Sequence, residues 1–575
     1  MKKFYFALGL CSVTIVQAQQ FQEVQNLPFK NFYYSASAVG DIDNDGFQDI
    51  FFTGAIDSDN NNNVDVTFNE LYRNNGGQFT SFQEFNTNAV HLSDVKFIDF
   101  DNDGFQDIIT TGLSYNDIVN YQQYRFRNTG NGFELMKNLP GKIFGSLEVF
   151  DFNHDGKQDY ALNGVRYTPN GFTYDLDLYL NSGNDFTEIK AWSEGTQNGD
   201  FKVIDVNNDN ELDLIILGFN IDIEPIFKVY KNTNGTLVLS QELPVINGGK
   251  IAYADFNNDG FLDFVVHGTD KEYNGYLAFF INDGTGYFTE NIIEGEGFDD
   301  SNVQVGDLNN DGYYDFIING NDENYDGQVD IFIYNPATNN FAKSENNELY
   351  KLGSGGSIQL FDFNNDNKLD VMINGFDWTD ADNLPKTKLY QNSLAGNNQK
   401  PSAPTVLNTI VEADKILFSW SGANDDKTPE NILQYELNVG SASGKSDIAK
   451  YVVTTKNWYL KKAGLSSELF WSVKAIDASR AYSNNSQEKT LSILGVSDNQ
   501  TTKTTVYPNP AKDILHINTN EKIDAVKIYN LAGQQNVAKQ ISDKVIDVST
   551  LAKGMYLVEI TLQNGEKVTR KIIKN

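Results

Sequence analysis

Seven short acidic segments recur along the chain: DIDNDGFQD, DFDNDGFQD, DFNHDGKQD, DVNNDNELD, DFNNDGFLD, DLNNDGYYD and DFNNDNKLD. Each opens on an aspartate: Asp41, Asp99, Asp151, Asp205, Asp255, Asp307 or Asp362. Position 3 holds Asp43, Asp101, Asn153, Asn207, Asn257, Asn309 and Asn364. Position 5 holds Asp45, Asp103, Asp155, Asp209, Asp259, Asp311 and Asp366, and position 9 holds Asp49, Asp107, Asp159, Asp213, Asp263, Asp315 and Asp370. Alternate positions of a tight loop can aim carboxylate and amide oxygens at one centre. A hard divalent cation such as calcium takes six to eight oxygen ligands of this kind. Position 6 is Gly in five copies and Asn210 or Asn367 in two, the residue types that enter a left-handed backbone most readily. A set of Asx-rich surface turns would explain one such segment. Seven in register point to up to seven calcium sites.

The flanks decide which kind of loop this is. A helix–loop–helix calcium site closes on a bidentate Glu at position 12. Here that position is Phe52, Thr110, Leu162, Ile216, Val266, Ile318 or Ile373, and no helical apolar period flanks the loops. Each position-9 Asp runs straight into a short β-rich stretch ending in glycine: Gly54, Gly112, Gly164, Gly218, Gly268, Gly320 or Gly375. Two further strands follow, and another leads into the next loop. A period of about fifty residues with four strands per repeat predicts a β-propeller of seven blades. The last repeat stops after its third strand, KLYQNS. The start of the chain, FQEVQNLPF (21–29), supplies the missing fourth strand and leaves no open edge.

On these residues the repeats resemble FG-GAP or VCBS repeats, the units of integrin α-subunit propellers and of many bacterial surface proteins. The resemblance covers roughly residues 20–395 and implies calcium in the loop between the first two strands of each blade. Asn at positions 3 and 6 departs from the all-Asp version and implies weaker affinity.

The remaining chain adds two modules. After a linker, AGNNQKPSAP, residues 403–494 hold alternating strands with Trp420, Tyr435 and Trp471 as core aromatics. They resemble a fibronectin type III sandwich and read as a spacer. Residues 503–575 contain YPNP and KGMYLV and end in a basic run. This tail resembles the type A sorting domain of the type IX secretion system of Bacteroidota, which implies that machinery as a partner. The expected fold is therefore all-β: a seven-bladed β-propeller (19–395), a β-sandwich and a small C-terminal β-domain.

Charge and cysteine narrow the compartment. The net charge is −34, which argues against nucleic acid and anionic membrane as partners. The single cysteine, Cys11, falls in an N-terminal segment that reads as a signal peptide over residues 1–18. No later apolar run is long enough to span a membrane. The chain is expected to be secreted or held at the outer cell surface.

Catalytic motifs are lacking. His91, His154, His267 and His516 are scattered, and neither GxSxG nor HExxH occurs. Strand alternation puts the loops after each second strand on the face opposite the calcium loops. Those loops carry Tyr121, Arg166, Tyr167, Tyr273 and Trp378, which suit sugar rings or a protein partner. The expected function is non-catalytic adhesion to an extracellular glycan or protein. The alternative is a calcium-dependent polysaccharide lyase with Arg166 or Lys271 as its basic group.

Overall fold

The computed structural model describes residues 21–56, 66–114, 120–183, 185–293, 296–344, 348–353, 355–376, 384–493, 504–519, 521–530, 535–536, 539–542, 544–563 and 567–574. The signal-peptide reading and Trp378 lie outside them. The described residues form strands, turns and loops, with no helix, and so none long and apolar enough to cross a membrane. The chain divides into two compact units, residues 1–493 and 494–575.

The first unit begins with seven antiparallel sheets of four or five strands. In each, the strand that enters an acidic loop pairs with the strand that leaves it. Gly40 faces Asp49, Ile98 faces Asp107 and Phe361 faces Asp370. The second strands are buried along their length, as in Asp107–Ser114 and Asp315–Asn321. Sheets stacked on both faces require this, and the runs are accordingly Ile-, Val- and Phe-rich. The entering strands neighbour one another in chain order, and Tyr33–Gly40 of the first sheet also touches Ser357–Phe361 of the seventh. Contacts thus run through all seven sheets and return to the first.

The start of the chain completes the seventh sheet. Phe21–Glu23 pairs antiparallel with Lys386–Asn392, Phe21 opposite Asn392. Lys388 Nζ lies 2.7 Å from Glu23 Oε1, and Phe21 is buried in the core between the sixth and seventh sheets.

Residues 406–492 form a three-stranded sheet, order Val406–Val411, Lys415–Ser421, Asn457–Lys461, and a four-stranded one. Trp420, Tyr435 and Trp471 are buried, as the sequence led one to expect. This module lies against the acidic loops, a contact that the spacer reading did not anticipate. Tyr459 Oη donates to Glu211 at 2.8 Å, Asp307 N donates to Ala478 O at 3.0 Å, and Asn102 Nδ2 donates to Ile448 O at 3.0 Å. The linker is itself pinned, with Asn398 Nδ2 2.6 Å from buried Asp477 and Asn367 Nδ2 donating to Asn398 O. The amide of Asn398 and that of Asn367 are what hold it.

The second unit holds two four-stranded sheets, one centred on Ile514–Asn518 and Val545–Asp547, the other on Ile523–Asn530 and Gly554–Leu562. Their core includes Leu515, Ile528, Tyr556, Val558 and Ile572.

Candidate metal loops and ligand face

The seven loops share one hydrogen-bond scheme. In the first, Asp41 accepts from Asp45 N at 3.1 Å and Gly46 N at 3.0 Å, and Asp45 accepts from Phe47 N at 2.8 Å. The position-9 carboxylate is a brace. Asp49 accepts from Ile42 N across the loop at 3.0 Å and from Asn74 N on the third strand at 2.8 Å. Asp107, Asp159, Asp213, Asp263, Asp315 and Asp370 repeat this brace. Position 6 is left-handed, as its Gly and Asn predict, with φ of 91° at Gly46 and 65° at Asn210. Position 4 is left-handed too, which the sequence reading passed over: Asn44, Asn102, His154, Asn208, Asn258, Asn310 and Asn365 have φ between 54° and 61°. Its amide reaches the next loop. Asn365 donates to Gly46 O, Asn44 to Gly104 O and Asn208 to Gly260 O.

The first two loops differ from the other five. Their third position is Asp, and oxygens of Asp41, Asp43 and Asp49, and of Asp99, Asp101 and Asp107, lie within 4.8 Å of one another. Asp43 Oδ1 and Asp101 Oδ1 are buried without a hydrogen-bond partner. An unpartnered buried carboxylate oxygen beside two more carboxylates fits a cation. These are also the loops that an arginine approaches, Arg73 at 3.3 Å from Asp43 and Arg127 at 2.6 Å from Asp101. In the other loops the third-position Asn accepts from, or donates to, the position-5 residue, as Asn257 does with Asp259. Burial, with mutual carboxylate repulsion, raises Asp49 to about 7 and Asp107, Asp263 and Asp370 to about 8, against the pull of the backbone N–H groups. A divalent cation at the centre would favour the charged forms.

Strand Asn120–Asn128 and its counterparts carry a tie that sequence reading missed. Asn128 Nδ2 donates to Gln106 O in its own loop and to Ile42 O in the preceding one. Asn74, Asn181, Asn282 and Asn392 make the same pair of bonds. The signal was present, since an asparagine closes the third strand in each of these five sheets.

The opposite face holds the expected ligand residues in unequal states. Tyr167 is 62% exposed with Phe172 edge-on at 5.5 Å, and Tyr273 is 72% exposed. Tyr121 packs against Leu113, Ile143 and Val165. Arg166 is held 2.8 Å from buried Asp177, which also pairs with buried Lys142 at 2.9 Å. Lys271 stands in an exposed turn beside Glu272.

Tyr273 belongs to a set. In three consecutive sheets the turn after the second strand is built alike. Asn220, Asp270 and Asp322 each accept from the N–H groups two and four residues on. The fourth residue is left-handed, and it is Ile223, Tyr273 or Tyr325, with φ of 61°, 66° and 65°. All three are at least 66% exposed. Large side chains at a position that suits Gly or Asn, and in water, have no folding rationale. Ile223 and Tyr325 were legible only by aligning FNIDIEP, TDKEYNG and NDENYDG.

Comparison with known proteins gives two family matches. Residues 505–575 match the secretion system C-terminal sorting domain, and residues 41–110 and 255–318 match the FG-GAP-like repeat. A stretch of 73 residues is 45% identical to beta-agarase D of Zobellia galactanivorans, covering 13% of this chain. The chain spans 15% of that relative's length. Among solved structures, BP39L lectin from Burkholderia pseudomallei is similar at 12% identity and a TM-score of 0.40, over 64% of this chain and 98% of that one. An exo-beta-1,3-galactanase from Phanerochaete chrysosporium is similar at 8% identity and a TM-score of 0.26, over 82% and 97%. Likeness at that level transfers no activity. The chain carries FG-GAP-like repeats and a type IX sorting domain, and the latter directs it to the cell surface or the extracellular space.

Proposed function

We propose that this protein is a non-catalytic binding protein, a calcium-stabilised seven-bladed β-propeller that holds an extracellular glycan or protein on the face opposite its calcium loops. The circuit of contacts through seven sheets supports the propeller, and the orphaned Asp43 and Asp101 oxygens support the metal. A fibronectin type III-like sandwich, residues 403–494, is docked on the calcium face, which leaves the other face to the ligand. One observation carries the binding reading: Ile223, Tyr273 and Tyr325 stand exposed and left-handed on three matching turns. Aromatic side chains of this kind suit the apolar faces of sugar rings and supply anchors at protein interfaces. Arg166 is committed to Asp177 and Glu188, so it serves the fold rather than turnover.

The test is a glycan array probed with the full-length chain in calcium. Tyr273→Asn and Tyr325→Asn keep a residue that accepts the left-handed turn. Each is expected to weaken binding tenfold or more at an unchanged melting temperature. Unsaturated sugar ends released from any polysaccharide would instead establish a lyase.

A further inference from the structure

The axis of the ring holds a cavity of about 730 Å³, lined by the entering strands of all seven sheets. That size lies within the range of small-molecule sites, about 300–1,000 Å³. It sits at the beginnings of those strands, hence toward the face opposite the acidic loops. At the far ends of those strands lies the docked module, which touches the second, third, fourth and sixth loops and so straddles the axis. There Arg480 Nη1 donates to Leu360 O at 2.6 Å and Nη2 to Val305 O at 3.1 Å. With the module across the loop-side end of the axis, the opposite face is the way into the cavity.

The mouth is built at a cost in backbone strain. A left-handed residue stands at the second position of each entering strand or just before it: Tyr34, Leu92, Phe144, Asn198, Gly248, Asp300 or Gly355. Glycine fills this place twice, and Asn or Asp, which tolerate it, twice more. Tyr34 and Phe144 do not suit it, with φ of 50° and 53°, and they remain 37% and 42% exposed. Bulky residues kept in this conformation while facing solvent are the outliers that mark ligand sites. Below them lie paired charges. Lys96 lies 3.9 Å from Asp94, and Lys202 contacts both Glu148 and Asp200. Lys250, which donates to Gly199 O, adds its field to Asp200. Asp299 and Asp300 also line the cavity, so three ammonium groups face five carboxylates and the net negative lining disfavours an anionic ligand. These groups offer closely spaced donors and acceptors, and a sugar hydroxyl both donates and accepts.

We infer that the well receives the end of a neutral glycan chain, its last sugars entering end-on between Tyr34 and Phe144. A site entered from that face, with the module across its far end, admits a chain terminus and excludes an internal stretch. This deepens the glycan-binding reading and rests on it.

Phe144→Gly and Tyr34→Gly remove the aromatic ring and relieve the strained backbone together, so a purely structural role predicts equal or higher stability and unchanged binding. Titration calorimetry with the full-length chain would use soluble galactan, glucan and mannan, and their oligosaccharides of two to six sugars. One series is expected to bind. Its affinity should level off at the length that fills the well, and the polymer should compete by its molar concentration of ends rather than its mass. Each Gly variant should lose tenfold or more in affinity with no fall in melting temperature. Wild-type affinity in both Gly variants, or affinity that rises with every added sugar, overturns the well while leaving glycan binding intact. No binding by any series overturns the glycan reading itself and the well with it.

Discussion

The imidazole of His154 is stacked on the phenol ring of Tyr459, centroids 4.0 Å apart and 25° from parallel. His154 occupies the place that Asn holds in the other six loops, so the third loop gave up its amide to grip the module of residues 406–492. An aromatic pair contributes about 0.5–1.5 kcal/mol beyond its area. His154→Asn restores the residue of the other loops and should lower the unit's stability by about 1 kcal/mol. A double-mutant cycle with Tyr459→Ala should recover a coupling of that size, and calorimetry should begin to separate the module's transition from the ring's.

Two glycines should respond to the same interface. Gly46 and Gly156 are equally left-handed, but a Cβ on Gly46 meets open space, whereas one on Gly156 falls 2.5 Å from Ile448 O. Gly46→Ala should cost only the backbone term, about 1–2 kcal/mol. Gly156→Ala should cost more and expose residues 440–460 to limited proteolysis.

Calcium removal should destabilise the first unit as a whole. A ligand bound only by the folded state adds RT ln(1+[L]/Kd), about 1.4 kcal/mol per site at ten times Kd. Seven sites add roughly 10 kcal/mol, comparable to a domain's whole margin. Because the module rests on the loops, excess EDTA should lower one shared transition rather than spare the module. An unchanged melting curve, with metal analysis showing no calcium bound, would exclude calcium from the loops.

Removing residues 21–27 should open the seventh sheet. The deletion exposes Lys386–Asn392 as an edge and strips Phe21 from its core. Such edges pair with other molecules. Light scattering is expected to show association, and unfolding to lose its sharpness. A monomer of undiminished stability would place the ring's closure elsewhere.

Acid should act through a buried histidine. His267 is fully buried, accepts from Phe298 N at 2.9 Å, and is lowered by that burial from its ordinary 6.5 to about 3. The unfolded chain therefore binds the extra proton between those values, so stability falls as pH drops through 6.5 toward 3. Against a His267→Gln control, the wild type should lose about 2 kcal/mol between pH 7 and pH 5. Parallel pH profiles for the two proteins would assign no titration to this ring.

Most of the ring was legible because its signal is local. The loop aspartates, the glycine at position 6 and the β-rich run after position 9 lie within a dozen residues of each other, and their repeat counts the sheets. The pairing of Phe21 with Asn392 was legible by subtraction, one strand short at one end and one spare at the other. The docking of the module was not, since nothing in Tyr459 or Ile448 names its partner 300 residues away. The mouth residues Tyr34 and Phe144 were hidden for another reason: an aromatic at the start of a strand looks like core until its backbone angle is known. Trp378 lies outside the described residues, and the face it was assigned to rests instead on Tyr167, Tyr273 and the two apices that were overlooked.

The pairing of Glu23 with Lys388 joins positions 365 apart. Contacts of that separation are slow to form, because the intervening chain must be ordered first. The seventh sheet therefore works as a clasp with a fixed moment of fastening. Until the strand at 386–392 has left whatever holds it, six sheets can assemble but the circle stays open at one seam.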